Sequence, residues 1–358
     1  MTTTSIRRPD RIAPLAAGWL GLWGVVALVG TLTGRGYPLG DNDAYGEASL
    51  LRLLPVRYGP PVFAAALLGA AVAVLAMVGN AHPSRPARNL LLGYGWTVAV
   101  ALAVVVPDVR VLVTLGYLPM LIIGAPFGWP PVDYARIFDW TLAAKFSAVA
   151  AGVLLAAAVL AWQRRTGGAC AVCGRDGDEA GWTTPAAAAR WGRWAAWTAA
   201  AIPLVYAGTR FAWVVGIPLG ISREFLTDLH ETGAVWAGAG LGAFATVGAV
   251  LTLGLVQRWG EVLPRWLPRL GGRRVPPLLA VVPGTLVAIA VTAGTLGELG
   301  APEFWRVTIG GFSAATAPML LWPLWGPALG AATLAYHLRR RRACGHCRRP
   351  WPGPVSRP

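Results

Sequence analysis

The sequence contains few charged residues and few of the side chains that usually carry enzyme chemistry. Charged residues make up 13% of its 358 positions, whereas an ordinary soluble domain contains about 25%. There are four histidines, four cysteines and a single lysine, and no glycine-rich phosphate loop, His-Glu-x-x-His or Gly-x-Ser-x-Gly motif occurs. The composition excludes an ordinary soluble domain, and the missing motifs favour a non-enzymatic protein.

Apolar stretches take up most of the chain, and apolar residues account for 55% of it. Several of these stretches contain about 20 residues, enough to cross a hydrocarbon core of about 30 Å. We therefore predict an all-α, polytopic membrane protein. The expected transmembrane helices number eight, at 15–33, 60–79, 90–106, 139–162, 194–215, 233–256, 277–296 and 308–338.

Arginine placement decides how the apolar segment 111–124 is interpreted. Its 14 residues are short for a span and are more typical of a re-entrant or interfacial segment. With eight spans, 22 of the 30 arginines lie on the side that contains the N-terminus, and 11 of the 16 acidic residues lie on the other side. Because cytoplasmic loops collect Arg and Lys, this count places both termini in the cytoplasm. A ninth crossing at 111–124 would break the pattern.

The net charge of +15 also bears on binding partners. In a membrane protein, such an excess follows from the positive-inside rule, so we expect no nucleic-acid partner. Arginine-dense cytoplasmic segments suit anionic lipid headgroups instead. The expected location is a bacterial inner membrane, with the lipid bilayer as the main partner and any protein partner unidentified.

An ordered series of matches indicates an internal repeat. Gly36-Tyr-Pro-Leu-Gly40 follows the first predicted span, and Gly216-Ile-Pro-Leu-Gly220 follows the fifth. Each is followed by an acidic segment, a small-residue helix, a basic loop and, at the end, an arginine cluster with Cys-x-x-Cys. We predict two tandem four-helix repeats in one orientation. The expected divisions are a cytoplasmic N-terminus 1–14, repeats 15–173 and 194–347, a linker 174–193 and a cytoplasmic tail 348–358.

The four cysteines form two Cys-x-x-Cys pairs, one at the end of each predicted repeat: Cys170 and Cys173, then Cys344 and Cys347. An even number of spans between the pairs places both on the cytoplasmic side. Together they supply the four sulfurs of a closed structural zinc site that joins the halves, with His346 as a spare ligand. Two alternatives remain open here: a redox-active dithiol, or two independent pairs without a shared role.

Ionisable residues inside predicted spans are costly and therefore candidate functional residues. Lys145, the only lysine, lies inside the fourth span, which begins near Asp139. Arg210 lies in the fifth span, with Tyr206 and Trp213 at i−4 and i+3 on the same helical face. Such an arginine suits bidentate binding of a carboxylate or phosphate. Alternatively, Lys145 and Arg210 extend toward the outer surface or pair with outer acids.

The richest polar cluster in an outer loop follows the fifth span, and a helix there would align its acidic residues. Its members are Glu224, Asp228, His230 and Glu231. Metal or proton chemistry is one interpretation of this cluster, and a solvated acidic loop is the other.

Two functions from different classes fit these features. The first is a permease-like protein that moves a small solute or a lipid-like molecule and carries a cytoplasmic four-cysteine zinc clip. Prolines that interrupt the last predicted span favour it, because discontinuous helices often mark transport sites. The second is a non-catalytic sensor or scaffold whose cysteine pairs report metal or redox state to a partner.

Overall fold

A computed structural model of the chain is all-helical over the residues it describes. These are residues 8–43, 45–55, 57–128, 133–175, 181–266, 268, 271–310, 317–341, 344 and 347. The predicted tail 348–358, His346 and parts of the linker 174–193 and of the predicted span 308–338 lie outside this set. The chain divides into two compact units, the first comprising Met1–Val111, Asp133–Glu179 and Ala343–Trp351, and the second comprising Leu112–Val132, Ala180–Arg342 and Pro352–Pro358.

Four long helices build the first unit: α1 (Arg8–Thr33), α2 (Gly59–Gly79), α3 (Arg85–Val100) and α6 (Trp140–Thr166). Helix α1 packs on α2 and α6, and α3 packs on α6. The buried core is rich in alanine and valine around Leu20, Leu67, Leu155 and Trp162. Small side chains let the helix backbones approach closely, which is the usual basis of helix packing in membranes.

A close approach between two helix backbones of this unit lies at the end of α3, where the helix widens into a π turn at Ala101–Val105. Gly152 of α6 faces this turn, and a Cβ at that position would lie 2.8 Å from the Ala103 nitrogen and the Ala99 oxygen. Only glycine fits between the two backbones here. After the π turn, Pro107 and Asp108 lie at the end of the bundle, next to the start of α6.

The second unit contains α4 (Val109–Gly124) for most of its length, α7 (Pro185–Val214), α8 (Arg223–Glu231), α9 (Ala234–Gly254), α10 (Pro277–Gly300), α11 (Pro302–Gly310) and α12 (Trp322–Arg339). The remaining short helix, α5 (Tyr134–Ile137), belongs to the first unit. Helix α7 packs on α9 and α12, and α10 packs on α12. This scheme matches that of the first unit, with α7, α9, α10 and α12 in the places of α1, α2, α3 and α6.

Seven helices among the described residues are long and apolar enough to cross a membrane, so the chain is a multi-pass membrane protein by helix length and composition. They are Ile12–Thr33, Gly59–Gly79, Arg85–Val105, Val109–Phe127, Trp140–Thr166, Ala234–Gly254 and Pro277–Gly300. This set differs from the eight predicted spans, because it includes 109–127 and omits α7 and α12. Arginines interrupt α7, and α12 opens with Trp-Pro-Leu-Trp-Gly-Pro, so their hydropathy is low for their length.

Candidate functional site

The first Cys-x-x-Cys pair lies in a tight turn directly after α6. The helix is closed by Gly167, and Ala169 N–H then donates to the Arg164 carbonyl oxygen. Within the turn, Gly174 N–H donates to the Cys170 carbonyl oxygen at 2.7 Å, and Cys170 N–H donates to the Arg175 carbonyl oxygen at 2.9 Å. Gly174 has φ +73°, in the left-handed region. The backbone therefore folds the turn so that both cysteines point to one side.

All four cysteine sulfurs lie close together, within 4.8 Å of one another. The Sγ atoms of Cys170 and Cys344 are 3.9 Å apart, and those of Cys173 and Cys347 are 3.6 Å apart. A zinc ion bound tetrahedrally at about 2.3 Å from each sulfur needs S···S separations of about 3.8 Å. The cluster therefore has the donor set of a four-thiolate metal centre, and these two separations are close to the required spacing.

The thiols of the first pair have different acidities without a metal. Burial opposes ionisation of Cys170, but hydrogen bonds from the N–H groups of Cys173 and Val172 outweigh it and lower the pKa of Cys170 to about 7. Burial raises the pKa of Cys173 to about 12. A bound divalent cation would favour the thiolate at every position, since metal ligands are deprotonated.

A second cluster joins the only lysine to two aspartates in the first unit. The Lys145 ammonium is fully buried and contacts the carboxylates of Asp43, at 2.5 Å, and Asp108. Both carboxylates are nearly inaccessible as well, with side-chain exposures of 3% and 1%. A charge in such a place is tolerated only when it is paired. Three parts of the chain therefore meet here: the loop after α1, the end of α3 and the start of α6.

An arginine continues this cluster toward its exposed end. Arg110 pairs with Asp139 at 3.0 Å and approaches Asp43 at 3.7 Å, and its guanidinium lies 4.7 Å from the centre of the Tyr45 ring. Asp139 also caps α6, because its carboxylate accepts a hydrogen bond from Leu142 N–H. We refer to Asp43, Asp108, Arg110, Asp139 and Lys145 as the Lys145 network.

Three members of the Lys145 network, Asp43, Asp108 and Arg110, were not among the candidate site residues that the sequence predicted. In the sequence they are two of many outer acids and one of the few outer arginines. The lone lysine inside a span was the available signal, since it requires a buried acid. Which acids supply the charge depends on contacts across 102 and 37 residues, which no local pattern reports.

Arg210 lies between two aromatic rings of its own helix. Its guanidinium carbon is 4.5 Å from the centre of the Tyr206 ring and 4.2 Å from that of Trp213, typical cation–π distances. On α9, a Cβ at Gly242 would lie 3.2 Å from the Arg210 Cβ. Glycine at that position therefore gives room for the arginine stem.

The acidic residues of the predicted outer cluster form the exposed face of α8. Glu224, Asp228 and Glu231 are exposed, and the His230 ring nitrogen Nε2 is hydrogen-bonded to the Trp213 carbonyl oxygen at 2.9 Å. Across the described part of the chain, the group of three or more His, Cys, Asp or Glu side chains with metal-binding spacing is that of the four cysteines. The structure does not bring the α8 residues around a common point.

Replacing Lys145 with methionine should strongly destabilise the protein, because the buried Asp108 would lose the ammonium and the buried Asp43 would keep only Arg110, at 3.7 Å. We expect Lys145→Met to lower the free energy of unfolding by about 3–5 kcal/mol. The triple variant Lys145→Met/Asp43→Asn/Asp108→Asn should recover at least half of that loss. Unfolding in detergent, followed by circular dichroism, measures both changes.

The matched control is Arg136→Gln, which breaks a pair with Asp133 whose side chains are 82% and 56% exposed. Exposed pairs contribute little, so this variant should stay within about 0.5 kcal/mol of the wild type. If Lys145→Met is no more destabilising than Arg136→Gln, the buried charge pairing described here is wrong.

Comparison with known proteins adds no assignment to these sites. No protein-family model matches the chain, and no curated protein or solved structure is significantly similar to it. The sites are therefore defined by their own geometry: four converging thiols, and a network of three acids and two cations that is buried at Lys145, Asp43 and Asp108.

Proposed function

We propose that the chain is a permease-like membrane protein for a small solute or a lipid-like molecule, with one structural zinc ion held by its two Cys-x-x-Cys pairs. The observation that carries the metal assignment is the convergence of four sulfurs within 4.8 Å of one another, with two of the separations close to tetrahedral spacing. Zinc is the natural occupant, because a closed four-thiolate set is its usual structural site. When bound, the ion would fasten the segment after α12 to the end of α6.

The transport assignment is supported by the Lys145 network. Ionisable residues buried within membrane helices usually mark substrate, ion or proton pathways. Here three carboxylates and two cations lie at one end of the helices of the first unit, with the ammonium fully buried. Arg210, between Tyr206 and Trp213, is a second candidate position for an anionic group in the second unit.

We infer eight membrane crossings, made by α1, α2, α3, α6, α7, α9, α10 and α12. Because the two cysteine pairs contact each other, the chain between them must cross an even number of times. The four long helices α7, α9, α10 and α12 lie in that interval, which supports counting α7 and α12 despite their lower hydropathy. The arginine distribution favours the cytoplasm as the side of the cysteines and of both termini.

The network supports our inference that α4 makes no net crossing. Asp108, just before α4, contacts Lys145, and Arg110, in its first turn, pairs with Asp139. The segment between these contacts therefore leaves and returns to the same end of the bundle. A crossing by α4 would require 125–138 to cross back. The described helices of segment 125–138 are one 3₁₀ turn and one four-residue helix. They are too short to satisfy the hydrogen bonds of a backbone that crosses lipid.

Gene duplication explains the parallel between the two units. Both follow the same helix packing scheme, and their matching loops contain glycines in the same left-handed conformation: Gly36 and Gly40 at φ +81° and +75°, Gly216 and Gly220 at +82° and +65°. The copies differ after this loop, where three 3₁₀ turns in the first correspond to α8 in the second. We propose two tandem four-helix repeats in one orientation.

The alternative is a sensor or scaffold that reports metal or redox state. Its support is the partial exposure of Cys170, Cys173 and Cys347, which would let a chelator or an oxidant reach the sulfurs. In both proposals the arginine-rich cysteine side faces anionic lipids of a bacterial inner membrane, and any protein partner is still to be identified.

Metal content tests the zinc clip. Protein purified without chelator should contain one zinc per chain, and Cys173→Ser and Cys344→Ser should each lose most of it. Chelation should lower the melting temperature of the wild type but leave that of the two variants unchanged, because metal binding stabilises the folded state. Elemental analysis and thermal unfolding supply the data. The clip would be ruled out if the wild type contained no metal and if chelation left its melting temperature unchanged.

The position of α4 can be tested by inserting an epitope after Gly128. We expect the tag to be accessible from the same side as one inserted after Gly36, and from the opposite side to one inserted after His82. Antibody binding to sealed right-side-out and inside-out vesicles distinguishes the two sides. A Gly128 tag on the His82 side would show that α4 crosses the membrane.

Solute uptake into reconstituted vesicles tests transport. The wild type should accumulate part of a panel of small anions, amino acids and sugars above protein-free vesicles. The charge-neutral triple variant of the Lys145 network should fall to the protein-free level while remaining folded, and Arg136→Gln should match the wild type. If wild-type and protein-free vesicles take up every member of the panel equally, the sensor proposal is favoured.

A further inference from the structure

One arginine of the cluster at the end of α6 lies against the cysteine turn, whereas its neighbour does not. Arg164 is half-buried and Arg165 is exposed. The Arg164 guanidinium covers Gly174, since a Cβ at that position would lie 2.9 Å from its Nε and 3.0 Å from its Cζ. Gly174 lacks a side chain because of its left-handed backbone, and the guanidinium packs on the surface that this leaves open.

The hydrogen bonds of Arg164 hold it against the backbone of the cysteine turn. Its Nη1 donates to the Val172 carbonyl oxygen at 3.5 Å, and its carbonyl oxygen accepts from Ala169 N–H at 2.9 Å. The guanidinium also interacts electrostatically with Cys170 and Cys173. Arg164 therefore contacts the turn before its first cysteine through its carbonyl oxygen and after it through its guanidinium.

A metal-loaded site would carry a net negative charge, and the Arg164 guanidinium is placed to offset it. Four thiolates around a divalent cation carry a net charge of −2, in a place where three of the cysteines are half-buried and Cys344 is buried. Partial burial makes such an excess costly unless a cation lies nearby. Groups outside the ligand shell commonly tune a metal site in this way, and their loss typically weakens metal affinity by about 10–100-fold.

We propose that Arg164 is a positioning residue of the metal centre, which offsets the charge of the four-thiolate site and holds the cysteine turn in its binding conformation. This inference rests on the proposed zinc clip. It separates two adjacent arginines that the sequence presents as equivalent, because the Arg164 guanidinium lies against the cysteine turn and Arg165 is exposed.

The test compares Arg164→Gln with Arg165→Gln in the full-length protein in detergent. Zinc affinity is measured by competition with a chromogenic chelator. We expect Arg164→Gln to bind zinc at least about tenfold more weakly than the wild type, and Arg165→Gln to bind it as the wild type does. Arg164→Lys, which keeps the charge but not the planar fork, should lie between them.

Cobalt(II) substitution provides a readout that a general loss of folding would not reproduce. At saturating cobalt, the sulfur-to-metal charge-transfer band of Arg164→Gln should match that of the wild type, showing four intact thiolate ligands. Its affinity should also depend less on salt, because the removed contribution is electrostatic. Equal zinc affinity and equal salt dependence in the two glutamine variants would overturn the proposal. A wild type that binds neither metal would instead refute the zinc clip itself.

Discussion

The cost of burying the Lys145 ammonium constrains much of the first unit. An unpaired cation in a membrane interior is strongly unfavourable, so the residue persists only where carboxylates reach it. Asp43 and Asp108 supply them from the loop after α1 and from the end of α3. The pairing therefore holds the loop after α1 against the end of α3 and the start of α6. Through Arg110 and Asp139 it also fixes both ends of the segment that contains α4.

Helix α6 carries both candidate sites. Lys145 lies in its second turn and Arg164 in its last, 19 residues apart, or about 28 Å at 1.5 Å per residue. That length is close to the thickness of a hydrocarbon core. A change at the metal centre and a change in the charge network would therefore act on opposite ends of one helix, which is buried over much of its length.

The arginines at the end of α12 have a local structural role in addition to the one that the sequence suggests. Arg339 pairs with Glu261 at 3.0 Å and donates to the Leu255 carbonyl oxygen. Arg340 donates to the Tyr336 hydroxyl and the Val275 carbonyl oxygen. These bonds hold the loop between α9 and α10 against α12. The arginines that the sequence analysis assigned to membrane orientation thus also make a partly buried hydrogen-bond network.

The sequence by itself determined the class of protein, the order of its long helices and the similarity of the two segments that end in Cys-x-x-Cys. These follow from composition, run length and recurrence, which are local properties of a chain. It also identified Lys145 as a residue whose burial is costly, because a single lysine in an apolar segment can be recognised without knowing its ion-pair partners. Only the tertiary structure decided that Asp43 and Asp108 neutralise it, that all four sulfurs converge, and that Arg164 rather than Arg165 lies beside them. Each of these depends on how distant segments pack, and packing is set by side-chain shape and burial across the whole unit.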